Sequence, residues 1–264
     1  MSSEVLNGIS HDVKRKWQAW RKPGRHQRLM DYRYSSDEYG LKGFDETKSI
    51  FVHIPKAAGI SVSEALYGNL AGGHSDLSFY RRVFSYREYS SYFKFTFVRN
   101  PWDRVYSAYT FLKAGGWNEE DRIWADRHLG SVSDFESFVM DCLASPVVQS
   151  HIHFKPQYQF IEANGYLDSG VEFLAYFENI ETDFAVIARR LSKPENLPHQ
   201  NKTKRSGPTS NYRDVYTSAM IERVAAQYSN DIEAFGYCFD NSNIDKVLRE
   251  RDIKLAEAGV LVQP

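Results

Sequence analysis

Cysteine is scarce in this chain of 264 residues, which holds only Cys142 and Cys238, 96 positions apart. There is no CxxC pair and no Cys/His cluster at ligand spacing, so no zinc site is expected. Two free thiols suit a reducing compartment; a single bridge between them is the other reading. Net charge is nearly absent: 33 Lys and Arg stand against 34 Asp and Glu, which excludes a basic coat over the whole surface. Long apolar runs are missing too, none approaching the roughly 18 residues of a membrane span. Residues 1–16 (MSSEVLNGISHDVKRK) have no apolar stretch of the signal-peptide kind. These absences point to a cytoplasmic chain with no transmembrane segment. What is present is ordinary for a globular protein, with 42% apolar and 25% charged residues. A chain of this length buries a core without cross-links. Aromatic residues are plentiful at 15%, which fits a Tyr-rich core or an aromatic cleft equally well.

The neutral total hides an asymmetry. Residues 1–33 carry eight basic groups against three acidic ones, a local charge of +5, so the remaining residues carry -6. Any anion site in the body must therefore come from local clustering. The first 46 residues are polar, basic and Tyr-rich, with Pro23-Gly24 as a break. They read as a basic N-terminal arm: a short helix around Val13–Arg21, then irregular chain. The arm either packs on the body or tethers it to a membrane, a nucleic acid or an anionic polymer.

Ser49–Ile54 is a short β-branched, apolar run of the buried-strand type. Pro55 and Gly59 punctuate it, and residues 60–70 turn helical. Tyr92–Val98 alternates with aromatic residues and predicts a second strand. Asn100 then suits a helix N-cap and Pro101 the first turn, with the helix running to about Leu112. Repeated strand–loop–helix order argues for an α/β fold: a P-loop-like parallel β-sheet flanked by helices. Further on, a helix is expected over 133–143, with Ser133 and Glu136 in capping-box form. A short helix from Pro156, a strand over 171–177 and helices over 180–191 and 218–232 follow. Residues 194–211 form a polar loop and 241–264 a peripheral C-terminal helix. No repeat or linker interrupts the chain, so one domain is expected, with its core at about 48–240.

The loop after the first strand is His53-Ile54-Pro55-Lys56-Ala57-Ala58-Gly59-Ile60-Ser61. A strand-to-helix loop aims free backbone N–H groups at one point, where the helix dipole adds positive potential. Ala57, Ala58 and Gly59 admit an anion close to the backbone, Lys56 supplies a charge and Ser61 a hydroxyl. The order is not that of a Walker A loop, in which Lys directly precedes Ser or Thr. In the second unit, Arg99 ends a strand and Ser107 lies about two turns into the next helix. A guanidinium fork and a hydroxyl suit a phosphate. Arg104, near Ser107, is read as pairing with Asp103 or another carboxylate.

FVHIPKAAGIS resembles the 5′-phosphosulfate loop of the sulfotransferases, and FVRNPWDRVYSAY resembles their 3′-phosphate motif, RxPxxRxxSxY. Spacing and neighbours are similar to the carbohydrate group related to heparan sulfate 2-O- and chondroitin 4-O-sulfotransferases. The resemblance covers about residues 48–240. The loop departs from the family at Ala57 and Ile60, where hydroxyl residues are common, so its backbone and Lys56 carry more of the contact. The resemblance implies a donor, 3′-phosphoadenosine 5′-phosphosulfate (PAPS), with the 3′,5′-bisphosphate (PAP) as product. It implies an acceptor hydroxyl, of a carbohydrate in this group, and neither a metal nor a nucleic acid. Pro55 to Ser61, with Lys56, would bind the phosphosulfate, and Arg99 with Ser107 the 3′-phosphate. Arg205, in the basic loop LPHQNKTKR beside Lys202 and Lys204, would cover the nucleotide. His74, in Gly72-Gly73-His74-Ser75, is the general base by analogy with a family histidine in a glycine-flanked loop; His151 and His153 are the other candidates. His53 is read as packed. Gln157 is a candidate acceptor contact; Trp102, Trp117 and Trp124 could stack on a sugar, but are read first as core or surface packing. The alternatives are a P-loop kinase-like phosphotransferase and a non-catalytic nucleotide-binding module.

Overall fold

A computed structural model of the chain describes residues 3–163, 166–167, 170–197 and 211–260. The N-terminal arm is helical, not irregular: α1 (Ser3–Arg21), α2 (Pro23–Tyr34) and α3 (Lys42–Thr47). Pro23 opens a second helix because its fixed φ and missing N–H are tolerated in the first turn. Arg33, nearly buried, ties the arm down by bonding Asp45 through Nε (2.8 Å) and Nη2 (2.7 Å), and Glu88 through Nη2 (2.7 Å).

Strand β1 (Ser49–Val52) leads through a loop into α4 (Gly59–Tyr67). Helices α5 (Leu77–Val83) and α6 (Tyr86–Ser91) precede β2 (Phe93–Val98). Ser85 and Glu88 form the capping box of α6, while the expected Ser133 box is absent. Asp134 caps that later helix instead, because its carboxylate reaches the Ser137 amide. Then come α7 (Pro101–Lys113), α8 (Glu119–Leu129) and α9 (Phe135–Ser137), which runs into a wider turn at Phe138–Cys142. Short helices α10 (Pro146–Ser150) and α11 (Tyr158–Ile161) follow, with the small antiparallel pair β3 (Glu162–Ala163) and β4 (Tyr166–Leu167). Strand β5 (Phe173–Tyr176) leads to α12 (Ile180–Arg190). The expected helix over 218–232 divides at Tyr228 into α13 (Ser218–Gln227) and α14 (Ser229–Phe235). The last helix, α15 (Ile244–Glu257), is pinned by Arg251, whose Nη1 bonds buried Asp183 at 2.6 Å.

The main sheet is parallel, in the order β1-β2-β5. Every residue of β1 and β2 is buried, as helices on both faces of a parallel sheet require. Much of the aromatic excess is here: Phe51 stacks on its register partner Phe95 at 5.0 Å, and Phe95 on Phe93 at 5.5 Å. Lys94 sits inside this core by donating its ammonium to the Tyr89 and Tyr92 carbonyls at 2.8 and 2.7 Å. Both cysteines are free thiols. Among the described residues no helix is long and apolar enough to cross a membrane. Because the three strands are parallel, their C-terminal ends share one edge. That edge carries the loop at 53–58, Arg99-Asn100 and Phe177-Glu178, and it is where open α/β sheets bind ligands.

Candidate active site

The loop between β1 and α4 has an unusual backbone. Lys56 (φ 68°) and Ala58 (φ 63°) are both left-handed, a conformation costing about 1–3 kcal/mol at a residue with a side chain. Left-handed residues in such a turn curl the backbone so that successive N–H groups converge. The amides of Gly59 and Ile60 lie in the first turn of α4, where backbone N–H groups point out of the helix end. Gly59 is obligatory, since a Cβ there would lie 1.8 Å from the His53 ring. Pro55, Ala57 and Gly59 are buried; Lys56, Ala58, Ile60 and Ser61 are half-buried.

Two arginines hold this loop from behind. Arg99 Nη1 donates to the Lys56 carbonyl at 2.8 Å, and Arg104 Nε donates to the Pro55 carbonyl at 3.0 Å. A trans peptide points its N–H opposite its C=O. Fixing these two carbonyls therefore turns the Lys56 and Ala57 amides to the other side. Arg99 also grips Asp103 through Nε and Nη2, each at 2.8 Å, and lies over the Phe177 ring. This corrects the expectation for Arg104: the guanidinium that takes Asp103 is Arg99, and fully buried Arg104 serves the Pro55 and Lys155 carbonyls. Position explains the exchange, because Arg99 and Asp103 are four residues apart across the N-terminus of α7. There Asn100 caps the helix by accepting from the Trp102 amide at 3.0 Å.

Gln157 is not an open acceptor contact. It is fully buried, and its amide clasps the Arg99 backbone in both directions, accepting from N and donating to O at 2.9 Å each. It positions Arg99. Ser107 is half-buried on α7. Arg205 lies outside the described residues, as do His199, Lys202 and Lys204. Trp102 is a core residue, its indole N–H bonded to the Ile221 carbonyl at 3.0 Å, and Trp117 is exposed.

The Lys56 ammonium sits 3.9 Å from the centre of the Phe111 ring. Burial, and the cationic Arg99 nearby, bring its pKa down to about 8. His74 meets the end of β1: its Nδ1 lies 3.3 Å from the His53 carbonyl, and the two rings are 4.3 Å apart. A carbonyl only accepts, so Nδ1 carries the proton and Nε2 keeps its lone pair. Burial, then the imidazole of His153, lowers the His74 pKa to about 4, so the ring is neutral at pH 7. The Gly72-Gly73 bend that delivers it is tight, since a Cβ on Gly72 would lie 2.1 Å from the Tyr80 hydroxyl. His53 is buried and stacked on Phe51, with its basicity strongly suppressed by burial.

Sequence reasoning missed Asp121 on α8. Its carboxylate lies 3.8 Å from His153 Nε2 and accepts from the Trp117 amide at 2.9 Å. The His153 ring stands 5.8 Å from that of His74 and 5.0 Å from Phe111, while Trp124 lies against His151 at 4.0 Å. Asp121 sits in an exposed-looking acidic stretch, EEDR, and only the Asn118 cap and the Gly115-Gly116 turn before it hint that α8 folds back here. Among the described residues, no group of His, Cys, Asp and Glu is arranged to hold a metal ion.

A parallel sheet flanked by helices, with a left-handed loop, a loop lysine and a neutral histidine at its C-terminal edge, defines an α/β protein with a candidate active site there. The chain belongs to the sulfotransferase family, whose sequence profile matches residues 43–238, so sulfuryl transfer is its class of activity. Searches of the curated proteins and of the solved structures give no match.

Proposed function

We propose that the protein transfers the sulfuryl group of PAPS to a hydroxyl of a carbohydrate, with His74 as the general base. The observation that carries this reading is the pair of bonds from Arg99 and Arg104 to the Lys56 and Pro55 carbonyls. They join the two motifs into one construction whose amides and lysine suit a phosphosulfate. The acceptor oxygen attacks sulfur, the bond from sulfur to the 5′-phosphate oxygen breaks, and PAP departs with the electron pair. The acceptor's proton passes to His74 Nε2. Lys56 and the amides of residues 56–61 stabilise the charge that grows on the departing phosphate oxygen. Arg99 and Ser107 take the 3′-phosphate, Arg99 by sharing its guanidinium between that group and Asp103; Arg205 closes on the nucleotide. Support for a carbohydrate is the Trp124–His151 ring pair near His153 and Asp121, which offers an apolar face and polar groups together.

The test is incubation with sulfur-labelled PAPS and a panel of oligosaccharide, phenolic and steroid acceptors. Label transferred to oligosaccharides, and lost in His74→Ala while PAP still binds, is the expected result. Phosphate transfer from ATP with magnesium, and none from PAPS, would overturn it. Transfer only to phenols or steroids would remove the carbohydrate assignment alone.

A further inference from the structure

We propose that α1 is a docking surface for the face of an anionic lipid bilayer. One side of the helix belongs to the body. Asp12 accepts from the Tyr86 amide at 3.0 Å, His11 meets the rings of Tyr86 and Tyr89, and Arg15 pairs with Asp12. At roughly 100° per residue these positions share one side of the helix, and Val13, Trp17 and Trp20 fall on the opposite side within about 60° of arc. They are 57%, 51% and 80% exposed. Three large apolar side chains at i, i+4 and i+7, turned away from the core that α1 already contacts, have no partner among the described residues except Arg21 over the Trp17 ring.

Charge selects the occupant. Lys16 flanks the stripe on one side, Lys14 and Arg21 on the other, and Lys22, Arg25 and Arg28 continue the exposed basic surface past the bend. A second copy of this chain would bring two +5 arms together. A polysaccharide or nucleic acid would satisfy the cations but give two exposed indoles no apolar phase to enter. An anionic bilayer satisfies both: Trp and Val enter the boundary beneath the headgroups, while long basic side chains reach the phosphates. The surface lies on the arm, outside the sulfuryl-transfer machinery, and gives attachment without a spanning helix.

The test is flotation of the full chain with vesicles of phosphatidylcholine alone and of phosphatidylcholine with phosphatidylserine. Binding to the anionic vesicles only, weakened by salt and accompanied by a blue shift of tryptophan emission, is expected. The pair Trp17→Ser and Trp20→Ser should cut binding about tenfold or more, as should Lys14→Gln with Lys16→Gln. All four changes should leave the melting temperature and sulfate transfer unchanged. Should the serine pair melt early, Trp17→Phe with Trp20→Phe must abolish the blue shift while vesicle binding persists. Equal or absent binding to both vesicle types overturns the proposal. So does binding to heparin or DNA that is insensitive to the Trp substitutions in a chain that ignores vesicles.

Discussion

The Arg99 guanidinium donates to the Lys56 carbonyl at 2.8 Å, joining residues 43 positions apart at the ends of neighbouring parallel strands. Lys56 is thereby held in a left-handed conformation with its ammonium over Phe111. Loop geometry and lysine position are one arrangement, and its consequences are measurable.

Removing the lysine charge should remove charge stabilisation in the transition state more than it weakens ground-state binding. Lys56→Met is expected to lower kcat by about 10²–10³ with a smaller change in PAP affinity. Single-turnover rates with labelled PAPS, alongside PAP titration, separate the two. Equal losses in rate and affinity would assign Lys56 to uniform binding instead.

The pH profile follows from two groups. Lys56 must be protonated to act, and its pKa is brought down to about 8, so kcat/KM should fall as pH rises through about 8. His74 must be neutral to accept a proton, and its pKa is about 4, so kcat/KM should fall only as pH drops towards 4. A plateau between these limits is the expected outcome. A limb near pH 6.5 would mean that the base is an unperturbed histidine elsewhere.

Stability should also respond to acid. His74 and His151 have folded pKa values of about 4 against an ordinary 6.5, both through burial first and then His153. Above 6.5 neither state binds these protons. Below it the unfolded chain takes them up first, so stability is lost as pH falls from about 6.5 to about 4. His53 and His153 are held neutral by burial as well, so urea unfolding at several pH values should show uptake of more than about two protons in that window, and one fewer in His151→Phe.

The Arg99–Asp103 pair is buried, so Arg99→Ala takes both guanidinium contacts from the Asp103 carboxylate and should cost about 3–5 kcal/mol. The double variant Arg99→Ala with Asp103→Ala should recover part of that. Denaturant midpoints measure both, and additive losses would argue against coupling.

Gly59→Ala places a Cβ against the His53 ring and should destabilise by about 1–3 kcal/mol. Combined with His53→Ala, the clash disappears, and the double variant should be more stable than the sum of the single losses implies. A simple sum would mean that the loop, not the ring, yields.

The two strand–loop–helix units are legible because each carries its own local signals: β-branched or aromatic strands, Pro55 and Gly59 between strand and helix, and Asn100 and Pro101 at a helix start. The arm was misread at Pro23, since a proline that breaks one helix can equally open the next. The capping box at Ser133 failed because Asp134, one residue later, binds the orphan amide. Within the site, Lys56 and His74 stand on loops whose glycines announce them. The partner of Arg99, the burial of Gln157 and the approach of Asp121 to His153 depend on α7, α8 and the 151–157 segment packing together. No local pattern encodes those distances.

Donor recognition carries the central claim, and thermal unfolding with PAP and with ATP–magnesium tests it most directly. PAP at 100 times its dissociation constant should stabilise the protein by about 2.7 kcal/mol, with ATP giving far less at the same concentration and Arg99→Lys reducing the PAP shift. Stabilisation by ATP–magnesium with indifference to PAP would contradict the account.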